Sequence, residues 1–155
     1  MEHGTIEREI FIEASTEVVF DVVSSPEHLR EWWPDEAELS GVPGEAGRIG
    51  FGDLSEGGDV TWVQFTVVDA VPPRHFSFRW THDEGETPGP HNSLLVVFEL
   101  EPAGTGTRLR MTESGFRERD WDEAKAAAQH AEHVTGWDYF LPRLSVYAPK
   151  VGAGA

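Results

Sequence analysis

SLLVVFELEPAGTGTRLRMTES, residues 93–114, decides the fold of this chain. Apolar and polar residues alternate on both sides of the short turn AGTG. Alternation with a period of two predicts strands at 93–101 and 106–114, and the glycines predict a turn between them. The inward faces of this hairpin are predicted to carry Leu94, Val96, Phe98, Leu100, Leu109 and Met111.

More strands precede this hairpin. Residues 5–13 alternate, and VTWVQFTVVDAV at 60–71 and HFSFRW at 75–80 are long apolar runs rich in β-branched and aromatic residues. The glycine-rich segment 36–59 predicts short strands and turns, with a hairpin turn at SEGGD, 55–59. Consecutive strands with short connections pair antiparallel, so we expect a sheet of six to seven strands.

Three helices are predicted around this sheet. Ser15 and Thr16 can cap a first short helix, and Pro26 suits the first turn of a second, 26–32, which Pro34 ends. A long helix is expected from Asp120, as its cap, to about Ala148. Its inward stripe, at spacings of three and four, comprises Ala127, His130, Val134, Trp137, Leu141 and Leu144.

The long helix also contains two residues that interrupt a helical pattern. Gly136 is interpreted as a site of close approach to the sheet, and Pro142 predicts a kink or break. The fold class is therefore α+β, with an antiparallel sheet curved around a long C-terminal helix and two short helices after the first strand. We expect a single domain over 1–148 and a flexible tail over 149–155.

Composition excludes several classes of function. The chain has 155 residues, no cysteine, 28 acidic and 12 basic residues, and a formal net charge of −16. Such a surface repels nucleic acid and anionic membranes, so neither is an expected partner. No apolar run is long enough to span a bilayer, and the N-terminus lacks a signal-peptide pattern, so a cytoplasmic location is expected.

Four stretches, in order, resemble the START-like (SRPBCC) superfamily, in particular the branch similar to the heat-shock-protein ATPase activator domain. They cover about residues 5–147 and are IEREIFIEASTEVVFDVVSSPEHLREWWP, GGDVTWVQFTVVDAVPPRHFSFRW, TGTRLRMTESGF and GWDYFLPRL. The resemblance implies a helix-grip fold with a cavity between the sheet and the last helix. It also implies that the PEHL–WW segment packs over the mouth of that cavity. It does not determine function, because such scaffolds host carriers, cyclases, receptors and chaperone activators.

A ligand-binding site is predicted between the sheet and the last helix. Pockets for small molecules are mostly apolar with a few polar groups. The alternative is a filled core, in which Trp32 or Trp33 anchors the second short helix to the sheet. The residues predicted to line the site are Trp33, Phe65, Phe76, Phe78, Trp80, Phe98, Met111 and Trp137.

Two polar residues are predicted to join this site. Glu113 shares parity with Leu109 and Met111, and His130 lies on the inward stripe of the last helix. A carboxylate beside an imidazole in an apolar cavity could hold a polar ligand or act in acid–base catalysis. The alternative is that Glu113 reaches solvent at the end of its strand and His130 is a partly buried structural histidine.

No cofactor or metal is predicted. His82, Asp83 and His91 lie on one loop, and His130 and His133 are three apart, but helical zinc sites favour a spacing of four. The leading hypothesis is binding of a small hydrophobic or aromatic molecule. The alternatives are a cyclase- or hydrolase-type enzyme on a polyketide-like or lipid-like substrate, and an interaction protein that activates a chaperone ATPase. A homodimer is a further candidate, based on Trp62, which is interpreted as an exposed residue of an edge strand.

Overall fold

The computed structural model describes residues 4–52 and 60–153, and the turn predicted at 55–59 lies outside them. The described chain forms seven strands and three helices. Their bounds are β1 Thr5–Ile12, α1 Thr16–Ser24, α2 Pro26–Trp32, β2 Glu36–Glu38, β3 Ala46–Phe51, β4 Thr61–Val71, β5 His75–Trp80, β6 Leu94–Ala103, β7 Gly106–Ser114 and α3 Glu123–Ala153.

The seven strands form one antiparallel sheet in the order β1-β7-β6-β5-β4-β3-β2. The first strand thus pairs with the last, and β1 and β2 are the edges. A shift of register between Val67 and Asp69 interrupts the β4–β5 ladder, as at a β-bulge, which bends a strand. The α+β helix-grip prediction is confirmed, with two short helices after β1 and a long helix at the C-terminus.

The two short helices begin where their capping residues predict. The Ser15 side chain accepts a hydrogen bond from the Val18 backbone N–H at 3.2 Å, and Pro26 occupies the first turn of α2. The fully buried Trp32 indole donates from Nε1 to the backbone carbonyl of Val22 at 3.0 Å. Trp32 therefore anchors α2 to α1, and its ring also lies 6.4 Å from that of Phe98 on β6, a contact with the sheet of the kind that the sequence left open for it.

The long helix begins later along the chain than predicted, at Glu123. Its cap is Asp122, whose Oδ1 accepts from the Lys125 backbone N–H at 2.8 Å. The Asp120 backbone N–H instead donates to the carbonyl of His91 at 2.8 Å, which holds Asp120 outside the helix. At its other end α3 extends to Ala153, so residues 149–153, expected in a flexible tail, are helical.

Two residues within α3 differ from their predictions. The helix runs through Pro142, so the predicted break is absent, while a kink there stays a prediction. Pro142 is exposed, so water can hydrate the Asp138 carbonyl that the proline leaves without its donor. A Cβ added to Gly136 would meet no atom within 4 Å, so this glycine does not serve a close approach to the sheet.

Trp62 also lies elsewhere than predicted. It belongs to β4, which pairs with both β3 and β5, so it is not on an edge strand. The Arg48 guanidinium covers the Trp62 ring at 3.9 Å from its centroid. The argument for a homodimer through an exposed Trp62 therefore fails.

Candidate functional site

Aromatic rings fill the space between the inner face of the sheet and α3. The Trp33 ring, contributed by the end of α2, lies 5.7 Å from Phe78 and 5.1 Å from Trp80 between ring centroids. Its distance to Trp137 on α3 is 5.2 Å. These are contact separations for aromatic pairs. The space that the sequence predicts as a cavity is therefore occupied here by the Trp33 side chain.

The other apolar residues predicted for the site share this interior. Alternation along β4–β7 turns six of them to the inner face, Trp137 projects from α3, and each is buried. Their burial confirms the predicted facing, while a role in ligand binding stays a prediction. The set comprises Phe65, Phe76, Phe78, Trp80, Phe98, Met111 and Trp137.

Glu113 is the polar centre of this interior. Its side chain is 0 % exposed on β7. Its Oε1 accepts hydrogen bonds from Trp137 Nε1 at 2.8 Å and, with the proton on Nδ1, from His133 at 2.9 Å. Its Oε2 accepts from Trp80 Nε1 at 2.8 Å. Three N–H donors thus compensate the removal of this carboxylate from water.

The histidine partner differs from the predicted one. His133, not His130, meets Glu113, while His130 Nε2 lies 3.2 Å from the backbone carbonyl of Thr5. Residues 133 and 137 are four apart on α3 and so project from the same face over Glu113. His130 is almost one turn nearer the start of α3 and contacts the β1 end of the sheet. The spacing of four between His133 and Trp137 could have indicated that His133 faces the site. The choice of His130 followed the apolar stripe instead.

Trp33 differs from the other buried indoles in its hydrogen bonding. The N–H groups of Trp32, Trp80 and Trp137 each donate to a protein oxygen. No acceptor for the Trp33 N–H is found among residues 4–52 and 60–153. The Trp33 ring is therefore held by packing, without the tether that fixes its neighbours.

A second buried polar residue lies apart from this site. His82 is 7 % exposed, and its Nε2 is 3.2 Å from Thr66 Oγ1. Its Nδ1 has no partner in the described part of the chain. Burial lowers the pKa of His82 below its ordinary value, opposed by Glu86 and assisted by Arg119. This imidazole is thus favoured in its neutral form.

Within residues 4–52 and 60–153, no helix combines the length and hydropathy needed to cross a bilayer. The cytoplasmic location stays a prediction.

Comparison with solved structures identifies the fold. Protein MLL2253 from Mesorhizobium loti is 21% identical, with a TM-score of 0.71 over 91% of this chain and 93% of that one. Protein NE0264 from Nitrosomonas europaea is 14% identical, with a TM-score of 0.76 over 97% of each chain. The Aha1 protein from Colwellia psychrerythraea, described as a dimer in solution, is 23% identical, with a TM-score of 0.66 over 91% of this chain and 92% of that one.

No curated protein sequence is significantly similar to the chain. The family model described as "Activator of Hsp90 ATPase homolog 1-like protein" matches residues 13–148, most of the chain. This match agrees with the four sequence stretches and with the helix-grip architecture. The chain therefore belongs to the family of activator of Hsp90 ATPase homolog 1-like proteins.

Proposed function

We propose that the protein binds a small hydrophobic or aromatic molecule between the inner face of the sheet and α3, in the space that the Trp33 ring now occupies. One observation carries this proposal. A fully buried carboxylate, Glu113, lies inside an aromatic interior next to the one buried indole that has no hydrogen bond in the described part of the chain. Sites for small molecules combine a mostly apolar lining with a few enclosed polar groups, as here.

The polar end of the site defines the ligand chemistry. Glu113 Oε2 accepts one hydrogen bond, from Trp80, and a carboxylate oxygen has capacity for another. A flat aromatic molecule with one O–H or N–H group fits this arrangement. A ligand carrying its own carboxylate is disfavoured, because two like charges would share a desolvated interior.

The apolar part of the site supplies most of the binding free energy. Burial of apolar surface contributes about 25 cal/mol per Å² before the costs of ordering are subtracted. Moving the Trp33 ring out of its packed position opposes binding, because the competent state is then a minor one and the apparent affinity falls in proportion. Trp32 keeps α2 in place through its bond to Val22, so the displacement involves Trp33 rather than the whole helix.

The test uses 2-naphthol as the probe and the indole N–H signals of the wild-type protein as the readout. The chain has six tryptophans, which Trp→Phe variants assign in a nitrogen–proton correlation spectrum. Saturable shifts are expected for Trp33, Trp80 and Trp137. Trp62 and Trp121, which are covered by Arg48 and Arg119 outside the site, are internal controls whose signals should stay in place.

The matched ligand control is 2-naphthoate. It has the same rings but carries a charge, and we expect it to bind at least about tenfold more weakly, a difference of about 1.4 kcal/mol. Non-saturable shifts, or shifts confined to Trp62 and Trp121, would contradict the proposal. Equal affinity for the two compounds would contradict the assignment of Glu113 as the polar anchor.

An enzyme is a second candidate, supported by the 2.9 Å contact between His133 and Glu113. His133 then replaces His130 in the acid–base pair expected from the sequence, for a cyclase- or hydrolase-type reaction on a polyketide-like or lipid-like substrate. Any aromatic ligand retained by the purified protein would be incubated with wild type and with His133→Ala. Conversion of the ligand by wild type and not by the variant supports catalysis, and binding without conversion rejects it.

An interaction protein is the third candidate, supported by the family description and by the contacts between rings in the interior. In this case the ring cluster is a structural core. The ATPase rate of an Hsp90-type chaperone, measured with and without the protein, tests it. An unchanged rate at saturating protein would reject this activity.

A further inference from the structure

Three polar side chains, one from each helix, form a chain of hydrogen bonds where the helices meet. Asp21 belongs to α1, His28 to α2 and Tyr147 to α3. His28 Nε2 lies 3.2 Å from Asp21 Oδ2, and His28 Nδ1 lies 2.7 Å from the Tyr147 hydroxyl oxygen. We call these three residues the Asp21–His28–Tyr147 triad. None of them takes part in the Glu113 site.

The partners on either side of the imidazole decide where its proton lies. An ionised carboxylate only accepts hydrogen bonds, so Asp21 holds the proton on His28 Nε2. In the neutral imidazole Nδ1 is then an acceptor, and the Tyr147 hydroxyl donates to it. A base is therefore placed directly at the hydroxyl proton of Tyr147.

Neighbouring contacts hold the triad in this order. Ser25, between α1 and α2, donates from Oγ to Asp21 Oδ1 at 2.6 Å, which leaves Oδ2 to His28. Trp32, bonded to Val22, joins the same two helices. The His28 side chain is only 19 % exposed, so water competes weakly for its hydrogen bonds. A hydroxyl bonded to a base that a third group orients is the arrangement that activates nucleophiles in covalent catalysis.

The Tyr147 hydroxyl needs such a base to react. Burial is the main cause that raises the pKa of Tyr147 above its ordinary 10.0, and three carboxylates add to the effect, those of Glu31, Asp21 and Glu27. At neutral pH the hydroxyl therefore keeps its proton and is a weak nucleophile by itself. Transfer of the proton to His28 as the new bond forms removes this limit.

Tyr147 also lines an open hollow on the surface. Its volume is about 370 Å³, within the range of small-molecule pockets, and its apolar walls include Pro142 and Val146. Arg143 and Lys150 line it as well, four residues before and three residues after Tyr147 on the same side of α3. Cations placed in this way can stabilise the negative charge that develops on a carbonyl oxygen under attack.

We propose that Tyr147 is the nucleophile of an acyl-accepting site, which takes the acyl group from a small, uncharged aryl ester. The Tyr147 oxygen attacks the carbonyl carbon while His28 Nδ1 accepts the hydroxyl proton. The ester C–O bond then breaks, the acyl group stays on the Tyr147 oxygen, and the aryl alcohol leaves with the proton from His28. Glu31, which also lines the hollow, disfavours acyl groups that carry a negative charge.

The test uses p-nitrophenyl acetate as the probe and measures acetylation of each residue by peptide mapping with mass spectrometry. The chain has two tyrosines, so Tyr139 on the same helix is an internal control. Tyr139 is 59% exposed, but its hydroxyl is paired at 3.3 Å with the Arg143 guanidinium, which cannot accept a proton. Tyr147 should be acetylated at least about tenfold faster than Tyr139, because a positioned general base contributes about 10²–10⁴-fold.

His28→Gln removes the base and keeps a side chain that can hydrogen-bond to Tyr147. This variant should slow acetylation of Tyr147 at least about tenfold and leave the rate at Tyr139 within about twofold of wild type. The matched control is His91→Gln, at an exposed histidine, which should leave both rates unchanged.

Asp21 is a positioning residue in this proposal, since it acts through His28. Asp21→Asn should slow acetylation of Tyr147 as well, because an amide no longer holds the proton on Nε2. Asp21→Glu keeps the carboxylate and should retain more of the rate than Asp21→Asn. Equal rates in these two variants would remove Asp21 from the triad and overturn the proposal in this form.

The comparison of the two tyrosines within wild type tests the proposal even where a substitution disturbs folding. Equal acetylation of Tyr147 and Tyr139, or acetylation of Lys150 without Tyr147, would overturn it. So would a His28→Gln variant that melts like wild type and acetylates Tyr147 at the wild-type rate. In that case the triad only joins the three helices.

Discussion

At the scale of single residues, the buried carboxylate of Glu113 most needs hydrogen-bond partners from its surroundings. A buried charge without partners is very unfavourable, and this one accepts hydrogen bonds from two indoles and an imidazole. The donors come from β5 and α3, while Glu113 belongs to β7. The Glu113 side chain therefore links the sheet to α3.

Replacing Glu113 with glutamine should lower the free energy of unfolding by about 2 kcal/mol, within the range for an unsatisfied buried group. Whichever way the amide is turned, its NH₂ group faces an indole N–H, so one of Trp80 and Trp137 loses its acceptor. Urea unfolding measures the loss. Glu99→Gln, the same change at an exposed position of β6, should alter stability by less than about 0.5 kcal/mol. Equal effects of the two changes would contradict the network.

His82 supplies a prediction about pH. Burial is the main cause that lowers its pKa below the ordinary 6.5, so the folded state binds fewer protons at this site than the unfolded state. The stability from neutral His82 is complete above the unfolded pKa and declines as pH falls below about 6.5. Urea unfolding at about pH 7.5 and about pH 5.5 should show a smaller loss for His82→Gln than for wild type. His91→Gln, exposed on the same loop, should retain the wild-type loss, and an unchanged loss in His82→Gln would refute this assignment.

At the scale of elements, α3 is long enough to close the grip and contains two prolines and a central glycine. Its inner side packs Trp137, Leu141 and Leu144 against the core, while its outer side exposes Tyr139 and Val146. The helix persists because tertiary packing of the inner side outweighs weak local propensity. At the β1 edge, Arg8 and Asp138 add an ion pair at 2.7 Å.

The start of α3 can be tested with two neighbouring aspartates. Asp122→Ala removes the side-chain acceptor of the Lys125 N–H and should cost about 1 kcal/mol of stability. Asp120→Ala removes an exposed side chain whose contact within the described chain is with Arg119 Nε at 3.3 Å. The buried Arg119 side chain keeps its bond to Thr81 Oγ1 at 2.6 Å, so this change should cost less than about 0.5 kcal/mol. Chemical unfolding of both variants measures the difference. The reverse order would place the cap at Asp120 after all.

At the scale of the whole molecule, charge dominates behaviour in solution. A net charge of −16 on 155 residues produces self-repulsion in the compact state. Added salt screens repulsion between exposed charges beyond about 10 Å at 0.1 M ionic strength. The stability of the folded protein should therefore depend on ionic strength more than that of a protein of the same size with balanced charges.

Raising sodium chloride from about 0.01 M to about 0.15 M at neutral pH should raise the melting temperature by several degrees, because the Debye length falls from about 30 Å to about 8 Å. Calorimetry or circular dichroism measures this shift. Near the sequence isoelectric point of about 4.6 the net charge vanishes, and the same salt increase should have little effect. An equal shift at both pH values would point to a cause other than self-repulsion.

Much of this fold follows from patterns within short stretches of sequence. Period-two alternation identified the long strands and their inner faces, and Ser15 and Pro26 marked the starts of the short helices. Such patterns depend on residues a few positions apart, so they can be recognised before the elements that pack against them are known. The same parity correctly turned Glu113 inward with Leu109 and Met111.

Tertiary structure decided the details that join distant elements. The stripe predicted on α3 contains His130 and not His133, and only the docking of the helix on the sheet brings His133 to Glu113. The cap at Asp122 was settled by the bond of Asp120 to His91. The position of Trp33 between Trp80 and Trp137 depends on how α2 packs against the sheet and α3. Such contacts join residues far apart in the sequence, so they leave no periodic pattern along the chain.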